Sequence, residues 1–317
     1  MTRGPRVPSM LAVFALAGGC AAPSIRLLPP DTPVARPQPP ASESFRVVVI
    51  GDTQQMAPFD WFVRGGPKER AHVRARIEAL KPDLVIHAGD VVGNGSSKSD
   101  WAEFRREFAA IPIWPVLGNH DLFGSNGPAL ASYFEAFPHV GGKRWYALRH
   151  PPLAFLMLDS NLGEMTDDEA REQEAWLARE LDRAQADPAI RGIVLVSHHP
   201  PISSQVGGGS RRVKEAFFDA AAKRSKFLAF LSGHHHAYQH IEVGGRHAFV
   251  TGGGGAPLLL WKCSKLPEGA RLVRARQAHH VLELRVGPAG LETAMHELSP
   301  NPGEWKVEEE SFIAWPE

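Results

Sequence analysis

Ile111-Pro112-Ile113-Trp114-Pro115-Val116-Leu117-Gly118-Asn119-His120-Asp121 is a short apolar run that stops at a glycine and then presents an amide, an imidazole and a carboxylate. A run of this length and character fits a strand. Asn and His sit poorly inside one, so the polar tetrapeptide reads as the loop at the strand's C-terminal end. Side chains on such a loop can reach a shared cleft. Asn offers a neutral oxygen to a cation, and His offers a proton donor or acceptor near neutral pH. A single loop of this kind is also an ordinary turn, and its meaning comes from the strands before and after it.

The same arrangement recurs along the chain. Residues 45–50 (Phe-Arg-Val-Val-Val-Ile) form a β-branched, nearly all-apolar strand that delivers Gly51-Asp52-Thr53-Gln54. Residues 84–87 deliver Gly89-Asp90, residues 193–196 deliver Ser197-His198-His199-Pro200, and residues 227–231 deliver Gly233-His234-His235-His236. Helical spacing fills the intervals. Pro67 stands at the entry of a helix over 68–80, Ser99 caps one over 100–109, and residues 212–224 read as a third. Thr166-Asp167-Asp168-Glu169 is a capping box that opens a long helix running to about Ala186. Residues 144–158 read as two antiparallel strands turning at Pro151-Pro152. The remainder is mostly β, over 239–243, 246–251, 280–286 and 291–296, with Glu308-Glu309-Glu310 as a solvated end. Strand and helix in alternation followed by a β-rich ending predict an α/β fold of two packed mixed β-sheets flanked by helices.

Ligands at the C-terminal ends of strands in such a sheet converge on one crevice. Five strand ends carry Asp52 with Gln54, Asp90, Asn119 with His120, His198, and His234 with His236, which is more than the roughly four to six ligands of one ion. The inventory suits two ions sharing a bridging carboxylate. His87, inside its strand, reads as a packed residue. His235 and His240 are candidates for substrate contact or exposed spacers. Arg211, in the glycine-rich stretch from Gly207 to Arg212, could meet a phosphate.

At 317 residues, 43% hydrophobic and 22% charged, the chain has the composition of a globular protein able to bury a sizeable core. Lys+Arg and Asp+Glu balance at 35 each, so nothing in the charge predicts a nucleic-acid partner. Six of the 15 histidines fall between His198 and His240, which points again to metal or acid–base chemistry. Arg3 and Arg6 precede an apolar run too short to span a bilayer. That run ends Ala17-Gly18-Gly19-Cys20, which resembles the lipobox of bacterial lipoproteins, with Ala17 where leucine is usual. The resemblance implies a signal peptide over residues 1–19, cleavage before Cys20, a lipid on its sulfur, and a place in the cell envelope on the periplasmic or outer-membrane side. Residues 20–44 are proline-rich and read as an extended tether, leaving 45–317 as the folded domain. Only Cys263 would then remain unmodified, which leaves no disulfide framework.

An Asp-x-His, a Gly-Asp, a Gly-Asn-His-Asp/Glu, a later His and a Gly-His-x-His in that order are the signature of calcineurin-like metallophosphoesterases. The chain resembles that superfamily from residue 45 to about residue 257, with Gln54 in place of the first His. His236-Ala237-Tyr238 and Gly252-Gly253-Gly254-Gly255-Ala256-Pro257 are similar to its purple-acid-phosphatase-like branch, and Gln173-Glu174-Ala175-Trp176-Leu177 to a helix of such enzymes. The resemblance implies a four-layer αββα sandwich that hydrolyses phosphomonoesters or phosphodiesters of small molecules with a metal-activated hydroxide. It implies two metal ions, from Mn, Fe, Zn or Mg. Asp90 would bridge them, Asp52, Gln54 and His236 would hold the first, and Asn119, His198 and His234 the second. His120 would protonate the leaving alkoxide, with Asp121 orienting its ring. Gln offers a weaker ligand than imidazole, so the first site would hold its ion less tightly. The iron-binding Tyr of purple acid phosphatases falls at Gly93, so the resemblance implies a protein without a tyrosinate band. Two other functions fit the same residues: a phosphate-ligand-binding envelope lipoprotein with little turnover, and a cyclic-nucleotide phosphodiesterase or nuclease.

Overall fold

The central strands bury both of their faces, alternate residues turning to opposite sides of each sheet. In the computed structural model, which describes residues 44–55, 65–205, 207–258, 264–301 and 303–316, two mixed sheets pack face to face. The expected signal peptide, Cys20, Cys263 and all of the tether except Ser44 lie outside the described residues.

The first sheet runs β13 (Trp305–Ala314), β12 (Gly290–Leu298), β11 (His280–Val286), β1 (Phe45–Ile50), β2 (Leu84–His87), β3 (Ile113–Pro115). The second runs β10 (Ala270–Arg276), β8 (Tyr238–Val243), β9 (Arg246–Thr251), β7 (Phe227–Ser232), β6 (Gly192–Val196), β5 (Leu153–Met157), β4 (Tyr146–His150). Parallel pairing joins β1, β2 and β3 in one sheet and β5, β6, β7 and β9 in the other, so these strands send their C-terminal ends the same way. Antiparallel strands complete both sheets.

Alternate residues divide cleanly between two cores. Leu153, Phe155 and Met157 of β5 and Val194 and Val196 of β6 face the inter-sheet core with Val47, Val49, Leu282 and Leu284. Ala154, Leu156, Ile193 and Leu195 face the opposite way, onto Trp176, Leu177 and Leu181 of α4 (Asp167–Ala186) and onto Phe217 and Phe218. The outer face of the first sheet is covered by Val73 and Ile77 of α1 (Pro67–Leu80) and Trp101 and Phe104 of α2 (Lys98–Phe108). Layers therefore follow the order helix, sheet, sheet, helix, as expected.

Local chemistry sets most boundaries. The Thr166 hydroxyl accepts from the Glu169 amide and the Glu169 carboxylate accepts from the Thr166 amide, so the capping box forms as read. Residues 146–157 form the expected pair of strands about Pro151-Pro152. The 212–224 stretch is helical in three consecutive pieces, Arg211–Val213, a π-helical Lys214–Phe218, and Asp219–Ala221. Three expectations are corrected. Ser97 rather than Ser99 caps α2, its side chain accepting from the Asp100 amide. A helix, α3 (Asn126–Ala136), follows the Asn-His loop where none was read. Glu308-Glu309-Glu310 is no solvated end: it lies in β13 at a sheet edge, with the Glu309 side chain largely buried. Among the described residues no helix is long and apolar enough to cross a membrane.

Candidate metal centre

Every loop that carries an expected ligand follows a strand that ends at the same edge of the sandwich, and backbone hydrogen bonds lace these loops together. The Asp52 amide donates to the Gly89 carbonyl at 3.0 Å, the Thr53 amide to the Asp90 carbonyl at 3.0 Å, and the Gly233 amide to the His198 carbonyl at 3.0 Å. Three expected ligands, Asp52 (φ 61°), Asp90 (φ 55°) and His234 (φ 69°), hold left-handed backbone conformations that cost a non-glycine residue about 1–3 kcal/mol each. Such conformations persist only where the surroundings over-determine them, as in a site built to aim side chains.

The side chains converge in two groups joined by Asp90. In one, the Asn119 Oδ1 lies 3.0 Å from His198 Nε2 and 3.1 Å from His234 Nδ1, and the two imidazole nitrogens are 3.2 Å apart. In the other, His236 Nε2 lies 3.4 Å from Asp52 Oδ1 and 3.1 Å from Gln54 Nε2. Asp90 Oδ2 is 3.3 Å from both Gln54 Nε2 and His198 Nε2, so its carboxylate stands between the groups. All seven expected metal ligands are thus brought together, and Asp52, Asp90 and His198 are fully buried.

Outer partners fix which nitrogen each imidazole presents. His198 Nδ1 donates to the Ala88 carbonyl at 2.9 Å and His236 Nδ1 to the Pro257 carbonyl at 2.6 Å, turning both Nε2 lone pairs toward the cluster. Three lone-pair-bearing atoms at 3.0–3.2 Å repel one another unless a proton or a cation lies among them. Burial works against a charge on His198, but the Asp90 carboxylate beside it prevails and raises its pKa to about 9. Burial, and then the charge on His198, lowers His199 to about 3 and His234 to about 2, so both rings stay neutral and able to ligate. The Gln54 Oε1 is buried without a hydrogen-bond partner, while its Nε2 faces Asp90 and His236. Exchanging the two amide atoms would turn that oxygen into the cluster as a ligand. Two carboxylates, three imidazoles and two amides in these positions fit a pair of divalent ions.

His120 stands beside Asp90, its amide donating to Asp90 Oδ1 at 2.8 Å. Asp121 does not orient its ring. The His120 Nδ1 donates to the Gly93 carbonyl at 2.9 Å, whereas Asp121 accepts from the Val91, Val92 and Gly118 amides at 2.8–3.1 Å and braces the loops. The Gly93 contact engages Nδ1 of His120 and leaves Nε2 as the ring's other nitrogen. His235 sits next to the cluster, its Nδ1 2.7 Å from the Ser203 hydroxyl; burial leads the causes that lower it to about 4. Arg211 is exposed and pairs with Glu215 at 3.9 Å; among the described residues no contact joins it to the cluster. His240 is neither exposed nor in the cleft, and His87 is a packed strand residue bonded to the Thr53 hydroxyl at 2.9 Å.

Sequence reasoning missed Ser160, whose hydroxyl meets His199 Nδ1 at 2.9 Å, and Ser203 under His235. It also passed over Gly233, which presses against an expected ligand as Gly252 does. A β-carbon on Gly233 would lie 2.5 Å from Asp52 Oδ2, and one on Gly252 2.7 Å from the same atom. The signal was present in the sequence, since a glycine precedes Asp52, Asp90, Asn119 and His234.

A family model for calcineurin-like phosphoesterases matches residues 45–238, well over half of the chain. The protein belongs to that family, which uses two metal ions. It is similar to a probable glycerophosphodiester phosphodiesterase of Arcobacter nitrofigilis, 26% identical over 171 residues, which is 49% of this chain and 57% of that relative. The chain thus spans little more than half the length of that curated relative. Among solved structures, a purple acid phosphatase from yellow lupin shares the fold with a TM-score of 0.64 at 19% identity, covering 88% of this chain and 55% of the lupin one. An anchor protein of the Plasmodium inner membrane complex shares it with a TM-score of 0.67 at 14% identity, covering 87% and 90%.

Proposed function

We propose that this protein is a metal-dependent hydrolase of small phosphate esters that works with two ions in the strand-end cleft. The observation that carries the reading is the position of Asp90 Oδ2, equidistant at 3.3 Å from a member of each ligand group. Asp52, Gln54 and His236 hold one ion; Asn119, His198 and His234 hold the other. Bound there, the ions supply Lewis acidity toward phosphoryl oxygens and a water of lowered pKa. His120 gives a proton from Nε2 to the leaving alkoxide, and the Gly93 carbonyl holds its ring at the other nitrogen. Diesters are the first substrate class to test, because the curated relative is a phosphodiesterase by name.

The test is hydrolysis of p-nitrophenyl phosphate and bis-p-nitrophenyl phosphate by chelator-stripped protein refilled with Mn, Fe, Zn or Mg, beside Asp90→Asn. Metal-dependent turnover that disappears in Asp90→Asn supports the reading, and the preferred ester assigns the class. Absence of turnover with every ion, despite stoichiometric metal, overturns it in favour of a binding protein. We propose further that a lipid on Cys20 tethers the enzyme in the bacterial envelope, supported by the lipobox-like Ala17-Gly18-Gly19-Cys20. Incorporation of an acyl label by wild type and not by Cys20→Ser is the expected outcome; equal labelling would refute the anchor.

A further inference from the structure

Away from the cleft, the hairpin of β8 and β9 carries a second cluster of imidazole and carboxylate groups. Alternation puts His240 and Glu242 on one face of β8. The register sets Glu242 opposite His247 and His240 opposite Phe249, so His247 shares that face. β13 of the other sheet brings Glu309 against it, and His240 Nδ1 donates to Glu309 Oε1 in a short contact. That carboxylate also accepts from the Ser311 hydroxyl at 3.1 Å and lies against the Tyr238 hydroxyl. Phe249 stacks on the His240 ring, centroids 4.3 Å apart. The ring is therefore fixed, and its Nε2 points at His247 Nδ1, 2.9 Å away. One ligand atom from each of His240, Glu242 and His247 lies within 4.8 Å of the others.

We propose that these three side chains form another metal site, separate from the catalytic cleft, for one divalent cation of the zinc type. His240 Nε2, His247 Nδ1 and a Glu242 oxygen are the ligands, and Glu309 is the carboxylate that orients His240. A ligating imidazole whose other N–H goes to a carboxylate is the usual outer arrangement of such sites. Two imidazoles and a carboxylate suit zinc among the first-row ions. Tetrahedral nitrogens on zinc stand about 3.3 Å apart, so the two rings need part by only a few tenths of an ångström. His240 is buried, whereas His247 and Glu242 are partly exposed, so the ion enters from the hairpin end and water completes its coordination. Glu242 also pairs with Arg271 on edge strand β10, and the ion must share that carboxylate or displace the exposed guanidinium. A filled site joins β8 and β9, through Glu309, to the last strand of the other sheet, and acts as a structural clip.

Zinc binding to chelator-stripped, purified protein, counted by equilibrium dialysis, tests the assignment. His247→Ala is expected to bind one zinc fewer per chain than wild type, with ester hydrolysis at saturating metal unchanged. Glu309→Gln should weaken this one site about 10–100-fold, as loss of an orienting carboxylate does. Equal zinc stoichiometry and affinity in wild type and His247→Ala would overturn the site and leave a hydrogen-bonded histidine pair. Should His247→Ala fail to fold, Glu242→Gln, on a partly exposed strand end, decides alone: loss or weakening of one zinc supports the site, and unchanged binding refutes it.

Discussion

Gly118 has no room for a β-carbon. Built there, the atom would lie 2.1 Å from the Asp90 amide nitrogen and 2.2 Å from Asp90 Oδ1, and backbone cannot yield as a flexible side chain can. Gly118→Ala is therefore expected to displace the Asp90 carboxylate and cut kcat on the order of 100-fold, the cost of an ångström-scale misplacement. Steady-state kinetics with metal counting checks this; wild-type kcat would refute it. His120→Ala separates acid catalysis from ligation. Its ring is tied at Nδ1 to the Gly93 carbonyl and takes no place in the ligand groups, so the variant should keep its metal and lose about 10²–10⁴-fold in turnover. Loss of metal with the fold intact would make His120 a ligand instead. At this scale the residues that converge in the cleft were legible because Asp, Asn and His at strand ends have few structural uses in common. The partner of His120 was not legible. Asp121 is its neighbour in sequence, but the carboxylate is drawn to three loop amides and the ring to a carbonyl 27 residues away.

Elements were legible where their signals are local. The capping box of α4 needs only Thr166 and Glu169, and it formed as written. The cap of α2 depended on tertiary contacts: Ser97 and Ser99 are equally good caps by type, and the Asp100 carboxylate accepting from the Asn94 amide favours the earlier start. β10 and β13 were missed because their sequences, Ala-Arg-Leu-Val-Arg-Ala-Arg and Trp-Lys-Val-Glu-Glu-Glu-Ser-Phe-Ile-Ala, carry the charges that protect sheet edges and disguise strands. α3 hid behind Gly127-Pro128, a turn signal that is also tolerated in a helix's first turn. One link between elements has a large predicted effect. Arg144 Nε donates to Asp159 Oδ2 at 2.8 Å with both side chains buried, and Asp159 also accepts from the Asn161 amide and side chain. Asn161 in turn donates to the Gly118 carbonyl at 3.4 Å, so this pair supports the Asn-His loop from behind. Asp159→Ala strands a buried guanidinium and should cost about 3–5 kcal/mol. Urea denaturation measures it, and a loss below 1 kcal/mol would show that water or Glu169, 3.3 Å from the same guanidinium, replaces the carboxylate.

The whole molecule depends on the contact between its sheets, and one buried imidazole crosses it. His280 of β11 donates from Nδ1 to the Ala278 carbonyl at 2.9 Å and accepts at Nε2 from the Thr251 hydroxyl of β9 at 3.1 Å. Burial lowers its pKa from 6.5 to about 4. A base whose folded pKa is depressed binds its proton more readily when unfolded, so between pH 6.5 and about 4 the unfolded chain takes up a proton that the native one does not. Stability therefore falls with falling pH across that window, and the His280 contribution to the slope ends near pH 4. Glu283, three positions further along β11, extends the decline. Burial works against its charge, but His296 at 2.8 Å, with Arg46 and Arg285, holds its carboxyl below the usual range. Its stabilising effect is present above about pH 4.5 and is lost as pH drops through the lower folded value. Denaturant midpoints measured from pH 7 to pH 3 should thus decline in two overlapping stages, the upper one shared by His280 with other imidazoles that burial lowers, such as His235 and His247. His280→Gln keeps a hydrogen-bonding side chain but has no titration, so it should flatten only the upper stage, by up to about 1.4 kcal/mol per pH unit. The lower stage should survive, because Glu283 and its three basic neighbours are untouched. An unaltered slope between pH 6.5 and pH 4 in this variant would mean that His280 takes its proton in the native state, and that the sheets tolerate a charge at their interface.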